Sequence, residues 1–172
     1  MMNENSPARC RQMYECRSQE CKDTLCEELG RMVGSFHYLQ KSDMPILHDY
    51  LTVRHIEKDE ILWQEGDHCG YVAFVVKGQL KIKKGTEFQG RDVIVGIYGS
   101  GAVVGELCAL DHGPRYITAM ALEDTEMIVM ANHDFRKLLE EHPHTGNRLL
   151  QGMLFSVSAR LRKSMDRLTS MF

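Results

Sequence analysis

No stretch of this 172-residue chain approaches the roughly 18 consecutive apolar residues of a membrane-spanning helix, and the opening MMNENSPARC has no apolar core of the kind a secretory signal needs. The cytoplasm is the expected location. Charge does not lean strongly either: 24 acidic against 21 basic residues give a net charge of -3, so no global field draws the chain to nucleic acid. The six cysteines would suit a disulfide framework in a small secreted domain. In a reducing compartment they are expected as free thiols or metal ligands, and no structural disulfide is expected. A Cys-x-x-Cys-His haem attachment sequence is missing. The eight histidines are scattered, at His37, His48, His55, His68, His112, His133, His142 and His144, and no His-x-His is followed by a carboxylate. Nothing looks like a nucleophile beside a paired base, so an enzyme is not expected and no cofactor is implied.

The chain has the length and the hydrophobic content (43%) to bury one core. Residues 1–30 form a polar segment carrying Cys10, Cys16, Cys21 and Cys26. Residues 31–142 hold the expected domain and residues 143–172 a terminal helix. Leu25, Leu29, Met32, Val33 and Phe36 recur with helical period, and Ser42-Asp43 is expected to cap a second short helix through Leu51. From Val53 onward the period becomes strand-like and turn residues punctuate it, at Lys58-Asp59, Glu65-Gly66-Asp67, Lys77-Gly78, Gly99 to Gly101 and His112-Gly113. Short strands at such spacing predict a mainly β jelly roll, a double-stranded β-helix barrel with N-terminal helices and a long C-terminal helix. Tyr71 to Val76 is apolar throughout and should be inside, whereas Leu80 and Ile82 alternate with Lys81 and Lys83, leaving one wet face.

After the strands, Asn132 is expected to cap a helix carrying Phe135, Leu138 and Leu139, and Pro143 to begin the last helix. There Leu150, Leu154, Val157, Leu161 and Leu168 fall at spacings of 4, 3, 4 and 7, a seam interrupted at Ser164. Such a stripe predicts pairing in a homodimer, with packing on its own barrel as the alternative. Arg148, Arg160, Arg162, Lys163 and Arg167 make the same helix basic and are expected on a solvated face.

The chemistry concentrates between the barrel's last strands. Gly105-Glu106-Leu107 opens a short helix, and Arg115, preceded by Pro114, follows nine residues after Glu106 and leads into an apolar run. Backbone NH groups at a helix start, a glycine that admits close approach, a guanidinium and a carboxylate are together what a cyclic phosphodiester on a ribose needs.

This segment resembles the phosphate-binding cassette of the cyclic-nucleotide-binding domain superfamily, in the spacing of the protein kinase A regulatory subunit type. The resemblance extends over about Phe36 to Arg162: Phe36-x-x-Leu39, Ile61-Leu62-x-x-Glu65-Gly66-Asp67, Val75-Val76-x-Gly78-x-Leu80-x-Ile82, and Phe135-Arg136-x-Leu138-Leu139 before His142-Pro143, which is similar to Crp/Fnr-type regulators. It implies that Gly105 admits the phosphate, Glu106 accepts from the ribose 2'-hydroxyl, Leu107 and Cys108 supply backbone NH groups, and Arg115 pairs with the phosphate. Tyr116 stands where the family usually has a small or hydroxyl residue, so its ring either stacks on a base or fills the pocket.

The positions that read adenine in the bacterial cAMP receptor fall at Arg160 and Leu161. cAMP is preferred as ligand with cGMP or a cyclic dinucleotide as alternatives, and the implied action is a shift of helices that changes a surface for an unknown protein partner. About ten residues remain after Arg162, so no helix-turn-helix is expected and the chain should bind no specific DNA by itself. The rival reading is a Crp/Fnr-derived redox or metal sensor using Cys10, Cys16, Cys21 and Cys26, with a degenerate nucleotide pocket closed by Tyr116. A cupin-type enzyme is a third.

Overall fold

The computed structural model describes residues 38–86, 91–111 and 113–170. The expected lead-in helix and Cys10, Cys16, Cys21 and Cys26 lie outside them. Eight strands make two four-stranded antiparallel sheets: β1 (Thr52–Ile56), β2 (Ile61–Trp63), β3 (Tyr71–Lys77), β4 (Gln79–Gly85), β5 (Asp92–Gly99), β6 (Val103–Val104), β7 (Thr118–Ala121) and β8 (Thr125–Ala131). One sheet has the order β1-β8-β3-β6 and the other β2-β7-β4-β5. This is the jelly roll that the turn spacing predicts.

Why β3 is apolar at every position is visible in its two faces. Val72, Phe74 and Val76 point with Val103, Ile128 and Met130 toward Leu47, Phe135, Leu138, Leu149 and Met153 of the flanking helices and Tyr50 of the turn before β1. The alternate residues Ala73 and Val75 join Met127 and Val129 against Leu80, Ile82, Ala119 and Ala121 of the other sheet. A strand between two cores needs no polar face, and each aliphatic side chain so buried contributes about 1.5–3 kcal/mol. β4 has one wet face, as its alternation predicts: Leu80 and Ile82 are fully buried. Gly78 joins β3 to β4 at φ +92, and a Cβ there would meet Thr125 Oγ1 at 2.4 Å. Only glycine fits that turn.

Four helices flank the sheets: α1 (Met44–His48), α2 (Glu106–Asp111), α3 (Asn132–Glu141) and α4 (Pro143–Thr169). Two of the expected caps differ. α1 ends at His48 rather than Leu51, and Asp43 does not serve it as a side-chain cap. Its carboxylate accepts instead from Gln40 N (2.7 Å), Thr145 Oγ1 (2.7 Å) and Arg148 Nη1 (3.0 Å), pinning the N-terminal turn to α4. Asn132 likewise leaves the cap position to Ala131, because its amide donates to the Cys69 carbonyl at 2.8 Å. Asn132 gives up the local role for a long-range partner, whereas Asp43 keeps one local bond, to Gln40 N, and adds two long-range ones.

α4 rises about 40 Å at 1.5 Å per residue. Its buried residues are Thr145, Gly146, Leu149, Gly152 and Met153, one position off the expected seam. Leu150 is half-buried against the helical core, while Leu154, Leu161 and Leu168 are 67%, 55% and 60% exposed. The helix therefore packs on its barrel with one face and leaves most of the leucine seam uncovered.

Candidate functional site

The cassette begins where β6 ends. Gly105 has φ +80, and a Cβ on it would lie 2.2 Å from Arg115 Nη1 and 3.1 Å from the Tyr71 carbonyl. The glycine is thus required twice, by the backbone conformation and by the guanidinium pressed against it. Glu106 follows as the first residue of α2, 7% exposed. The chain returns through Pro114 to Arg115, whose backbone NH donates to Asp67 O (2.8 Å) and whose carbonyl accepts from Gly66 N (2.8 Å). These two bonds fasten the arginine to the Glu65-Gly66-Asp67 turn between β2 and β3.

The Arg115 side chain is 2% exposed. Its guanidinium lies over Trp63, with Cζ 3.7 Å from the ring centroid, and is 4.8 Å from the centroid of Tyr71. Nη2 donates to the Tyr71 carbonyl at 2.8 Å and Nη1 to Cys108 Sγ at 3.4 Å. Nε is buried without a partner, and among the described residues no carboxylate forms an ion pair with this side chain. Burial pushes the guanidinium down to about 10, so at neutral pH it keeps its charge at a cost in stability. A buried cation over the Trp63 ring and beside Tyr71, with an unused donor, is suited to an anion.

Glu106 is already engaged. Arg160 of α4 pairs with it through Nη2, donates from Nη1 to the Val103 carbonyl at 3.0 Å, and lies 5.1 Å from the Tyr98 ring. The basic residues of α4 are therefore not all on a solvated face: Arg160 crosses to the cassette from 54 residues away. Its charge is visible in the sequence, but no local pattern names its partner.

A cavity of about 480 Å³ opens beside these residues, lined among others by Leu107, Cys108, Arg115 and Tyr116 and by Glu65 and Lys84 opposite. That volume lies within the range of small-molecule sites. Tyr116 is 62% exposed and stands at the rim rather than filling the space. Lys84 Nζ sits 3.8 Å from its ring centroid and donates to its carbonyl (2.8 Å) and to Glu65 Oε1 (2.5 Å). The Lys84 bond and the NH of Gly85 hold the Glu65 carboxyl below its ordinary value. Lys84 and Glu65 are pocket residues that the sequence did not single out as such.

One expectation is overturned. Cys69 and Cys108 are joined in a disulfide, Cα to Cα 5.9 Å across a separation of 39 residues. The fold brings the loop before β3 against the start of α2, a proximity that cysteine spacing does not reveal. Of the residues expected at the ligand site, Leu107, Cys108, Arg115 and Tyr116 line the cavity, whereas Gly105 lies against the Arg115 guanidinium and Glu106 pairs with Arg160, neither of them in its lining. Among the described residues no group of three His, Cys, Asp or Glu side chains converges to hold a metal.

Known proteins related in sequence and structure share this fold. Residues 53–142, just over half of the chain, match the model of the cyclic nucleotide-binding domain. The cyclic AMP receptor protein of Thermus thermophilus is 27% identical over 120 residues, 69% of this chain and 55% of that protein. Lysophospholipase nte1 of Aspergillus oryzae is 32% identical over 89 residues, 51% of this chain and 6% of that one. The chain thus spans about half or less of the length of these relatives. The crystal structure of a cyclic nucleotide-binding domain from Methylobacillus flagellatus superposes with a TM-score of 0.79 at 26% identity, covering 87% of this chain and 85% of that one. With the jelly roll, the cassette spacing and this match over its barrel, the chain belongs to the cyclic nucleotide-binding domain family.

Proposed function

We propose that the chain is a non-enzymatic cytoplasmic sensor that binds a cyclic nucleotide, cAMP in preference to cGMP, and acts through its helices on a protein partner. The observation that carries this reading is Arg115, a buried guanidinium with no carboxylate partner and no acceptor for its Nε among the described residues, at the wall of a cavity of about 480 Å³. A cyclic phosphate there restores the charge balance that burial removes. The first NH groups of α2, at Leu107 and Cys108, add donors, and the Tyr116 ring at the rim offers a face for the base.

The ribose gives the signal. Its 2'-hydroxyl has the same acceptor as Arg160, the Glu106 carboxylate, so occupancy weakens the link between the cassette and α4. The exposed leucines of α4 make a second copy of the chain the expected companion of that helix.

The test is calorimetric titration of the full chain with cAMP, cGMP and 2'-deoxy-cAMP. Wild type is expected to bind cAMP and to discriminate against the deoxy analogue. Glu106→Gln should lose most of that discrimination, and equal discrimination by both proteins would remove Glu106 from the ribose.

A further inference from the structure

The disulfide lies where ligand and protein meet. Cys108 lines the cavity and its sulfur accepts from Arg115 Nη1. Cys69 sits on the loop before β3, whose Gly66 and Asp67 hold the backbone of Arg115. That loop is itself tied to the start of α3 by the amide of Asn132. Both arms of the cassette thus share one anchor: Arg115 through two backbone hydrogen bonds, and α2 through the covalent bond at Cys108. α2 has six residues, too few to hold a helix in place by itself.

From this arrangement we infer that Cys69 and Cys108 form a thiol–disulfide switch that sets the affinity of the nucleotide site, an inference that rests on the binding reading above. In the oxidised form α2 is fixed, and Gly105, Glu106 and the NH groups after them are held ready for ligand. In the reduced form only the Glu106–Arg160 pair, the weak Arg115–Cys108 contact and ordinary packing hold α2, and the ligand must order it at a cost in affinity.

The co-reactant is a small thiol, two molecules per cycle. A thiolate attacks Cys108 Sγ, the Cys108–Cys69 bond breaks, and Cys69 leaves as a thiolate that takes up a proton. A second thiolate then attacks the outer sulfur of the mixed disulfide, releasing Cys108 as a thiol and the two small thiols as their own disulfide. The protein gains two electrons and two protons, and the small thiols lose them.

Access gives the coupling its second half. Cys69 and Cys108 are 5% and 3% exposed, so a reductant reaches the bond through the cavity that the nucleotide occupies. Ligand therefore shields the disulfide from reduction, and by linkage the form that binds ligand better is the form that ligand preserves. Where disulfides are rare, as in the cytoplasm, such a pair fits sensing better than bracing.

The experiment compares cAMP affinity of the full chain, by calorimetry, after air oxidation and after dithiothreitol treatment, with peptide mass mapping of the Cys69–Cys108 link in each sample. Reduction is expected to weaken binding about tenfold, inside the roughly 5- to 150-fold span of coupled sites. Cys69→Ser should bind at the reduced affinity in both conditions. A variant with Cys10, Cys16, Cys21 and Cys26 all changed to Ser should keep the full redox dependence. Saturating cAMP should slow loss of the link in wild type. Should Cys69→Ser fail to fold, wild type in the two redox states still gives the answer. Equal affinity in the linked and reduced forms, or unpaired Cys69 and Cys108 after oxidation, overturns the switch and leaves nucleotide binding standing. Absence of cAMP and cGMP binding in both states overturns the binding reading and the switch together.

Discussion

Two arginines meet the cassette from opposite sides, and they are built differently. Arg115 belongs to the barrel: 2% exposed, stacked on Trp63, fixed at backbone and side chain, and unpaired by any described carboxylate. Arg160 belongs to α4: its side chain is a quarter exposed, and it spends its charge on Glu106. The first is committed to the fold and has no carboxylate partner among the described residues, whereas the second has one already; in the proposed reading the ligand supplies an anion to the first and frees the second. A site with one fixed and one releasable cation can bind a ligand and report it.

The sharpest way to break that contrast is Arg115→Met, which keeps the packing on Trp63 and removes the charge. Cyclic-nucleotide affinity should fall by about 2–5 kcal/mol, the cost of losing one partner of a buried charge pair. The thermal midpoint of the ligand-free protein should hold or rise, since the cation removed was buried without a carboxylate. Calorimetry and melting curves read both, and unchanged affinity would remove Arg115 from the phosphate.

The next largest effect concerns α4 beyond its barrel contact. Changing Leu154 and Leu161 together to Glu should convert a dimer to a monomer in sedimentation at micromolar concentration, because each substitution puts an unpaired carboxylate into an apolar seam. Monomer stability should change little, both side chains being exposed in the single chain. A monomeric wild type would assign the seam to another partner.

A smaller effect separates the fixed root of α4 from its free end. Burial would raise the Asp43 carboxyl, but hydrogen bonds from Gln40 N, Thr145 and Arg148 outweigh it and hold the group below its ordinary value. A depressed carboxylate gives stability that is full above the unfolded value near 4 and is lost as pH falls through the lower folded one. Asp43→Asn should therefore lower stability at neutral pH by about 1–3 kcal/mol and flatten its decline below pH 4, as denaturant titrations at several pH values would show.

How much of this was legible follows from the range of each interaction. β3 and β4 were readable because periodicity is local, and Arg115 because its offset from Glu106 is nine residues of one continuous segment. Arg160, Lys84 and the Cys69–Cys108 link were not, since their partners lie 54, 19 and 39 residues away and nothing in the intervening chain marks them. The leucine seam on α4 is exposed at Leu154, Leu161 and Leu168, as pairing with a second helix requires, while the barrel takes Leu149 and Met153, which the seam does not include, together with Leu150. A helix with two apolar stripes gives one period, and the sequence does not say which stripe stays home. Asp43 and Asn132 look like caps because short polar side chains usually bond locally, but neither caps its helix: Asn132 bonds Cys69, and Asp43 bonds Gln40, Thr145 and Arg148.

Hydrogen exchange of the full chain, followed by mass spectrometry with and without saturating cAMP, tests the contrast between the two arginines most directly. Peptides around Trp63, Tyr71 and Arg115 should gain protection as the cation acquires its anion. Those of α4 from about residue 155 onward should lose protection as Glu106 turns from Arg160 to the ribose, and Arg160→Ala should show that loss before any ligand is added. A cAMP complex in which α4 stays as protected as in the free protein, or in which the Arg115 region is unaffected, would contradict the account.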